Sequence, residues 1–303
     1  MIIAIACPSR YVPTPPPSRE FAPSSRKLLH YALVRDICYA HSKEQKRLRE
    51  RSFEFYSIAL WGIILCRYFL VAGLAYWFFY SPIGRAFSRP KRQSPSWQVI
   101  WHDIKLSAIA AVVFALAAAF VLSAYQEGAT RLYVNPQDYG LWYLGASYAA
   151  ALVLQDTYFY FTHRLFHHPK LFAWLHQGHH RSRYPTPWTS FAFDPLEAVA
   201  QALFLVGIVF VLPLHLITLI AVMITMTLWA VLNHLGPDRL PTVFPHHWLG
   251  RWVIGPAHHS VHHLKYTVHY GLYFTLWDRL LGTQDPRYVQ MLNHHLPNSP
   301  DAH

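Results

Sequence analysis

Three histidine boxes are the part of this 303-residue sequence whose residue types and spacing could do chemistry. Residues 163–167 read HRLFH, residues 176–180 read HQGHH and residues 259–263 read HSVHH. Residues three and four apart share one face of a helix, so each box predicts imidazoles that lie side by side. The eight histidines of the boxes are His163, His167, His176, His179, His180, His259, His262 and His263.

Eight imidazoles at this spacing indicate a metal site rather than a solvated surface. One transition-metal ion usually takes about four to six ligands, so the boxes predict two ions. Imidazole binds Fe, Cu, Ni and Zn, so ligand type alone leaves the metal open. The neighbouring His168 and His258 break the one-face spacing and are left out of the predicted set. His215, beside Pro213, is interpreted as a turn residue rather than a cavity residue.

Four long apolar stretches must position these boxes, at residues 56–80, 106–125, 139–161 and 198–232. The composition agrees, because 53% of the residues are hydrophobic and only 14% are charged, against about 25% charged in soluble domains. A helix of about 20 apolar residues crosses the ~30 Å hydrocarbon core of a bilayer. The sequence therefore predicts an all-α, polytopic membrane protein with a histidine-rich helical cap.

Two of the stretches contain interruptions. Residues 198–232 are too long for one crossing and contain VLPLH at 211–215, so they predict a helical hairpin, or two adjacent half-spans, that turns there. Residues 56–80 contain Arg67. This stretch either crosses the membrane once or is split at Arg67 into two short limbs that enter one leaflet and return. We favour the two limbs, because a single crossing would place the basic N-terminal region outside.

The distribution of basic residues predicts the orientation. Residues 81–105 contain five Lys or Arg, whereas residues 126–138 contain one Arg and two acids. Cytoplasmic loops are rich in Lys and Arg, so the first segment is predicted to be cytoplasmic and the second external. Both histidine clusters then lie on the cytoplasmic side. A bacterial inner membrane is favoured over the endoplasmic reticulum, because no organellar address is evident.

The first 52 residues differ from the rest of the chain. Residues 1–52 are basic, Pro/Ser-rich and predicted to be largely disordered, and residues 53–303 are predicted to form the membrane domain. The net charge of +11 does not indicate nucleic-acid binding, because no zinc-finger, RNA-binding or helix-turn-helix signature accompanies it. The three cysteines form no CxxC pair, so neither a disulfide framework nor cysteine ligation of the metal is predicted.

The boxes resemble those of the fatty acid hydroxylase superfamily. The matching residues are HRLFH at 163–167, HQGHH at 176–180, NH at 233–234, HSVHH at 259–263 and HYGLYFTLWDRLLGT at 269–283. The stretch PTPWTSFAFDPLEAV at 185–199 favours the sterol desaturase branch, and the resemblance covers about residues 100–285, the predicted catalytic core. Two positions depart from the pattern: Asp194 stands where the family usually has His, and His269 where it often has Asn, which offers an extra ligand or hydrogen-bond donor.

This resemblance implies a membrane-embedded centre of two metal ions, generally iron, that uses O2 to oxidise C–H bonds of lipids. It adds His234 as a ninth ligand. Zinc can replace iron in purified protein. The implied partners are a lipid substrate, sterol or fatty acyl, and a separate redox protein, because the sequence contains no flavin or dinucleotide fingerprint and no fused haem domain. Hydroxylation and desaturation remain equally open.

Two acids and three aromatic residues are further candidates. Asp156 lies seven residues before His163 in an apolar stretch, where an acid is costly and usually functional. We predict that it orients a metal ligand rather than forming a buried salt bridge. Asp238, four residues after His234, is a weaker candidate for the same role. The aromatic residues Trp188, Phe191 and Phe193 either line a substrate tunnel or form an interfacial belt.

Three other functions compete with a sterol desaturase-like enzyme. A fatty acid or sphingolipid hydroxylase belongs to the same class and differs in its substrate. A polytopic metal transporter should hold its ligands at the membrane midplane, whereas these boxes lie at the ends of apolar stretches. A zinc hydrolase needs a general base near the metal, usually a carboxylate, and the boxes contain no Glu.

Overall fold

The computed structural model describes residues 53–81, 95–236 and 252–288. The predicted disordered region 1–52 and the candidate Asp238 lie outside the described residues. The α-helices of the described ranges are α1 (Phe53–Tyr80), α2 (Trp97–Gln126), α3 (Leu141–Phe166), α4 (Phe172–Leu175), α5 (Gln177–His180), α6 (Pro195–Val211), α7 (Leu216–Asn233), α8 (Pro256–Lys265) and α9 (Leu276–Leu280). Short 3₁₀ helices cover Pro136–Asp138 and Pro187–Phe191.

The helical, membrane-type architecture is as the sequence predicts. Among the described residues, α1, α2 and α7 are long and apolar enough to cross a bilayer, with α1 and α2 at 28 and 30 residues. α3 has 26 residues but contains Gln155, Asp156 and several tyrosines. It is not among those three, so the crossing predicted for residues 139–161 stays a prediction. The 17-residue α6 is apolar but shorter.

The break favoured at Arg67 is wrong. α1 continues through Arg67 as one helix from Phe53 to Tyr80. The guanidinium carbon of Arg67 lies 5.5 Å from the centroid of the Phe191 ring, where a cation is attracted to the aromatic face. Arginine also has a high helix propensity, so the backbone at position 67 does not favour a break. The contact with Phe191 lowers the cost of placing the charge there.

The hairpin predicted within residues 198–232 is confirmed. α6 ends at Val211 and α7 begins at Leu216. Between them β2 (Leu214–His215) pairs in parallel with β1 (Leu132–Tyr133). His215 has the turn role expected of it, because its Nδ1 accepts from the Ile217 N–H at 3.1 Å and its Nε2 lies 2.8 Å from the Val134 carbonyl.

α1 and α2 pack together through small side chains. Ala111 and Ala115 of α2 form a buried cluster with Ile64 of α1. Small residues let two helices approach closely in a membrane, where packing replaces the hydrophobic effect as the force between helices. The Ala-rich run of α2 is therefore the surface on which α1 packs.

The bundle has two distinct ends. At one end Gln126 of α2 donates to the hydroxyl of Tyr56 near the start of α1 (3.0 Å). At the other end the hydroxyl of Tyr80 donates to the carbonyl of Leu235 (3.4 Å), next to His234. α1 therefore begins at the end opposite the histidine boxes and ends beside them.

Candidate metal centre

The structure brings all nine predicted histidines together at one end of the bundle, in two groups. Within each group, the candidate ligand atoms all lie within 4.8 Å of one another. The five-histidine group consists of His163, His167, His176, His180 and His262, and the four-histidine group consists of His179, His234, His259 and His263. All are buried except His167, which is half-buried.

The HxxHH boxes are divided between the two groups. In the first box His176 and His180 join the five-histidine group, while His179 joins the four-histidine group. The box on α8 does the reverse, because His259 and His263 join the four-histidine group and His262 the five-histidine group. In a helix, residues i and i+4 lie about 40° apart around the axis, whereas i+3 lies about 60° away on the other side of i. The side chain at i+3 therefore points to the other group.

Backbone and carboxylate oxygens fix which ring nitrogen carries the proton. Carbonyl and carboxylate oxygens accept hydrogen bonds, so an Nδ1 that faces one is the protonated nitrogen of a neutral ring. Five Nδ1 atoms have such partners: His163 with the Tyr270 carbonyl (3.0 Å), His176 with Glu197 (2.8 Å), His179 with the Ala192 carbonyl (3.2 Å), His234 with the Ala230 carbonyl (2.6 Å) and His262 with the Val268 carbonyl (2.7 Å). The Nε2 atom of each of these rings is left with a lone pair.

These Nε2 atoms face one another. Nε2 of His163 lies 3.0 Å from Nε2 of His176, and Nε2 of His180 lies 3.1 Å from that of His262. In the other group, Nε2 of His259 lies 3.0 Å from Nε2 of His234. In the pair His163–His176 both Nδ1 atoms carry the proton, and two Nε2 lone pairs at this distance repel unless a cation lies between them. Ligand nitrogens about 2.1 Å from one ion stand ~3.0 Å apart at right angles, so the spacing fits a shared metal ion.

Burial keeps the imidazoles neutral, as metal ligation requires. Burial lowers the pKa of His179 to about 4 and the pKa values of His180 and His263 well below their usual range. These side chains are therefore unprotonated at neutral pH. Neutral imidazole is the form that binds a metal ion.

Glu197 is a site residue that the sequence analysis missed. Its carboxylate accepts a hydrogen bond from Nδ1 of His176 at 2.8 Å, and both side chains are 1% exposed. A carboxylate on the second nitrogen of a ligating histidine fixes the ring and raises its basicity. The available signal was an acid just before the apolar stretch 198–232.

Asp156 acts on a loop rather than directly on a histidine. Its Oδ1 accepts from the backbone N–H groups of Leu272, Tyr273 and Phe274 at 2.7 to 3.1 Å. The prediction that Asp156 orients a ligand is therefore corrected to an indirect role, because the same loop carries the Tyr270 carbonyl that holds His163. The buried salt bridge that was the alternative is not found among the described residues either.

Asp278 holds the other end of this loop. Its two carboxylate oxygens accept from the N–H groups of Tyr270 (2.9 Å) and Gly271 (3.0 Å). The sequence analysis missed this residue, which lies within the HYGLYFTLWDRLLGT segment but outside the boxes. Two buried carboxylates, Asp156 and Asp278, thus fix the backbone that orients His163.

The two departures from the family pattern have structural roles. The Asp194 carboxylate accepts from the Gly178 N–H at 2.7 Å, and a side chain at position 178 would overlap that carboxylate. His269 has φ +57°, a backbone conformation that Asn, Asp and His tolerate better than other residues with side chains. His269 belongs to neither histidine group, and its Nε2 accepts from the Asp285 N–H (3.2 Å), so the proposed role as an extra ligand is not observed.

A small cavity of about 40 Å³ borders both histidine groups. That volume is room for a few water-sized molecules. Its apolar wall includes Phe159, Phe193, Ala230 and Leu272, and its other residues are His163, His176, His179, His234, His259, Ser190, Glu197, Asn233 and Gly271. Phe193 is therefore the one of the three aromatic candidates that lines this cavity, whereas Trp188 and Phe191 pack on Tyr68 and Ala72.

Apolar helices that end in two buried histidine groups define the class: an integral membrane protein with histidine boxes. A family model described as fatty acid hydroxylase matches residues 148–283, the segment that contains both groups. The chain is 30% identical to a lathosterol oxidase of Mus musculus over 218 residues, which cover 71% of this chain and 70% of the relative. The chain belongs to the fatty acid hydroxylase superfamily, in its sterol desaturase branch.

Two further relatives agree with this assignment. A Delta(7)-sterol 5(6)-desaturase of Gibberella zeae is 33% identical over 157 residues, 52% of this chain and 47% of the relative. A human lathosterol oxidase is 36% identical over 145 residues, 48% of this chain and 47% of the relative. The chain thus spans about half the length of these curated relatives. No solved structure matches the chain.

Proposed function

We propose that this protein is a membrane-bound, O2-dependent oxidoreductase that holds two iron ions in its two histidine groups and oxidises a C–H bond of a lipid. The observation that carries the proposal is the set of nine imidazoles with facing Nε2 atoms beside an apolar cavity. The names of its relatives, sterol desaturase and lathosterol oxidase, support a sterol-like substrate.

Iron is the metal that fits this chemistry. Bound irons would supply the redox steps that let dioxygen attack an unactivated C–H bond, which acid–base groups cannot do. Hydroxylation places one oxygen atom in the product and one in water, and desaturation sends both to water; each reaction consumes two electrons and two protons. The protein's own contribution is to hold the neutral rings, fix their tautomers and keep bulk water away from the site.

The lipid enters from the apolar side of the site. Phe159, Phe193 and Leu272 present hydrocarbon surface beside the histidines. The cavity accommodates only the reacting part of a sterol or acyl chain, so the remainder of the substrate lies among the helices or in the bilayer. The carbon to be oxidised must therefore reach the histidine groups at the end of the bundle, away from the centre of the bilayer.

Electrons come from a separate redox protein that docks at the histidine end of the bundle. We place that end in the cytoplasm, because residues 81–105 carry five Lys or Arg against one in residues 126–138. Labelling of single cysteines introduced at position 137 and at position 168 tests this orientation, with position 168 accessible from the cytoplasmic side. The bacterial inner membrane stays a prediction, and the relatives named above come from a fungus and from mammals.

The competing functions fit the geometry less well. A transporter would hold its ligands at the midplane of the spans, whereas these groups lie at one end of the bundle. A zinc hydrolase would need a free carboxylate as a base, and the Glu197 carboxylate that lines the cavity is already bonded to His176. The same-class alternative, a fatty acid or sphingolipid hydroxylase, differs in its lipid and is separated by product analysis.

Metal content of the detergent-purified protein tests the proposal. We expect about two irons per chain, with clear losses in His179→Ala and in His262→Ala, which belong to different groups. His168→Ala is the matched control, because this exposed histidine lies in the same segment and in neither group. Zinc that persists after iron-replete, anaerobic purification would favour the hydrolase, and little metal that is unchanged in either variant would contradict a metal centre.

A further inference from the structure

Asp103 is a buried carboxylate near the start of α2, and it belongs to none of the histidine boxes. The residue is 1% exposed. Its two oxygens accept from the Ser182 hydroxyl at 2.7 and 2.8 Å, and one of them also accepts from the Thr189 hydroxyl at 2.7 Å. A carboxylate is costly to bury, and short bonds from hydroxyl donors offset that cost. Asp103 thus joins α2 to two separate segments at the histidine end of the bundle.

The bond to Ser182 leads to His179 through the backbone. Ser182 follows the four-residue helix α5, and its N–H donates to the His179 carbonyl at 3.4 Å. A single helical turn is not stable by itself, so the position of α5 depends on contacts from outside. The neighbouring His102 of α2 contacts the start of the same helix, because its Nε2 lies 3.4 Å from the Gly178 carbonyl. α2 therefore holds α5 at both ends.

The bond to Thr189 leads to the same histidine by a second route. Thr189 belongs to the 3₁₀ helix Pro187–Phe191, and its carbonyl accepts from the Ala192 N–H at 3.1 Å. The Ala192 carbonyl in turn lies 3.2 Å from Nδ1 of His179. It thereby fixes the protonated nitrogen of that ring and leaves Nε2 for a metal ion. The place of this carbonyl depends on the 3₁₀ helix, which Asp103 ties to α2.

We propose that Asp103 is a positioning residue for the four-histidine group. Through Ser182 and Thr189 it fixes the main chain on both routes to His179, and thereby the direction of the His179 ring. Glu197 acts directly on a ligand ring, whereas the hydrogen bonds of Asp103 go to hydroxyl groups. A helix long enough to span the membrane thus sets the geometry of one metal ligand. This inference rests on the proposed function only in that a metal ion occupies the four-histidine group.

A positioning role predicts a change in the metal affinity of one group. Groups that hold a ligand ring typically change metal affinity by about 10- to 100-fold. Asp103 acts one step further from the metal, so we expect a loss of about tenfold, at the low end of that range. Glu197 supports the other group, so substitutions of the two acids should weaken different sites. A residue that only stabilises the fold would lower the melting temperature without this selectivity.

The test is an anaerobic titration of the metal-free, full-length protein in detergent with Fe(II) and, separately, with Zn(II). We expect Asp103→Ala to weaken one of the two sites about tenfold, and Asp103→Asn, which keeps an oxygen for the hydroxyl groups, to weaken it less. In Asp103→Ala/Glu197→Gln, each substitution should weaken a different site. Ser107→Ala is the matched control, because this buried hydroxyl of α2 has no hydrogen-bond partner within the described residues.

Two milder variants keep the test decisive if Asp103→Ala does not fold. Ser182→Ala and Thr189→Val each remove one of the hydroxyl groups that Asp103 holds, and each should weaken the same site. Where Asp103→Ala does fold, adding Ser182→Ala should have little further effect, because both substitutions remove the same bond. A full additional loss would contradict the route through Ser182.

The possible outcomes separate this inference from the proposed function. One weakened site for Zn(II), in a protein that binds no Fe(II), would support the role of Asp103 and contradict the proposed oxidation. Two Fe(II) sites with unchanged affinities in Asp103→Ala, Ser182→Ala and Thr189→Val would overturn the inference while the iron centre stands. Equal weakening of both sites in Asp103→Ala, together with a lower melting temperature, would also overturn it, because the effect would then be on the fold as a whole.

Discussion

The five-histidine group and the four-histidine group are built from the same boxes but differ in support and in access. In the five-histidine group, His176 has the Glu197 carboxylate on its second nitrogen, while His163 and His262 have backbone carbonyls. In the four-histidine group, the ring partners identified are the carbonyls of Ala192 and Ala230. Among the described residues, a carboxylate oxygen therefore supports a ring of the five-histidine group only. Burial raises the pKa of the Glu197 carboxyl well above its usual range.

The four-histidine group, which lacks a carboxylate partner, has more side chains at the cavity than the five-histidine group. His179, His234 and His259 of the four-histidine group line it, against His163 and His176 of the five-histidine group. An octahedral ion bound by four imidazoles keeps two positions for other ligands, whereas one bound by five keeps a single position. On the proposed function, the four-histidine group would therefore be the one with more room for substrate, and the five-histidine group would bind its ion with more imidazoles.

The largest effect should come from deleting a ligand of the less saturated group. We expect His234→Ala to lower kcat/KM by about 1,000-fold or more, beyond the 10- to 100-fold typical of residues that only orient a ligand. The half-buried His167 of the five-histidine group is the comparison, and His167→Ala should cost about tenfold less, because four imidazoles remain. Equal losses in the two variants, with equal losses of iron, would remove the proposed difference between the groups.

Glu197 should affect the five-histidine group selectively. Glu197→Gln keeps an oxygen that can accept from His176 but removes its charge, so we expect roughly a 10-fold loss of iron affinity, and Glu197→Ala about 100-fold. Iron titration followed by metal analysis should show one tight and one weakened site. Glu127→Gln, the same change at an exposed position, is the control. Weakening of both sites alike would show that the carboxylate does not act through His176.

Asp156 should affect stability more than chemistry. Asp156→Ala leaves three backbone N–H groups of the loop at Leu272–Phe274 without their acceptor, which should cost about 3 kcal/mol of unfolding free energy. Asp156→Asn keeps an acceptor oxygen and should cost less. Thermal unfolding in detergent measures both, with exposed Asp138→Ala as the reference. An unchanged melting temperature in Asp156→Ala would mean that the loop is held from elsewhere.

The smallest effect is expected at a buried histidine that lies outside both groups. Burial lowers the pKa of His269 to about 4, from about 6.5 in an unfolded chain. Between these values the unfolded state binds more protons, so the wild-type protein loses stability as the pH falls from about 6.5 to 4. His269→Asn removes this titration and tolerates the positive φ. Melting temperature against pH should therefore fall less steeply in the variant, with both irons retained.

Helical spacing predicted eight of the nine histidines and the family resemblance added His234, but neither predicted how the nine are shared between the two groups. The motif HxxHH places three imidazoles on one side of a helix, and nothing within one box tells which of them meets which partner. The packing of α5 against α8 places His179 in the four-histidine group and His262 in the five-histidine group. Glu197 was missed because it stands just before the apolar stretch 198–232 rather than within one, so the sequence does not mark it as buried.

The course of α1 depends on a contact that is distant in sequence. Arg67 reads as an interruption because a bare guanidinium within a bilayer is expensive. Its position above the Phe191 ring depends on the 3₁₀ helix Pro187–Phe191 packing against α1. By contrast, the turn at VLPLH was predictable, because Pro213 cannot continue a helix and His215 supplies the hydrogen bonds locally.

The exchange of histidines between α5 and α8 has a consequence for how the protein acquires its metal. An ion that settles in either group immobilises both short helices, and those helices carry the ligands still required by the other. The second ion then meets ligands that are already ordered, so it binds more tightly than the first. Insertion of the two ions should therefore be coupled, so that loading one group eases the loading of the other.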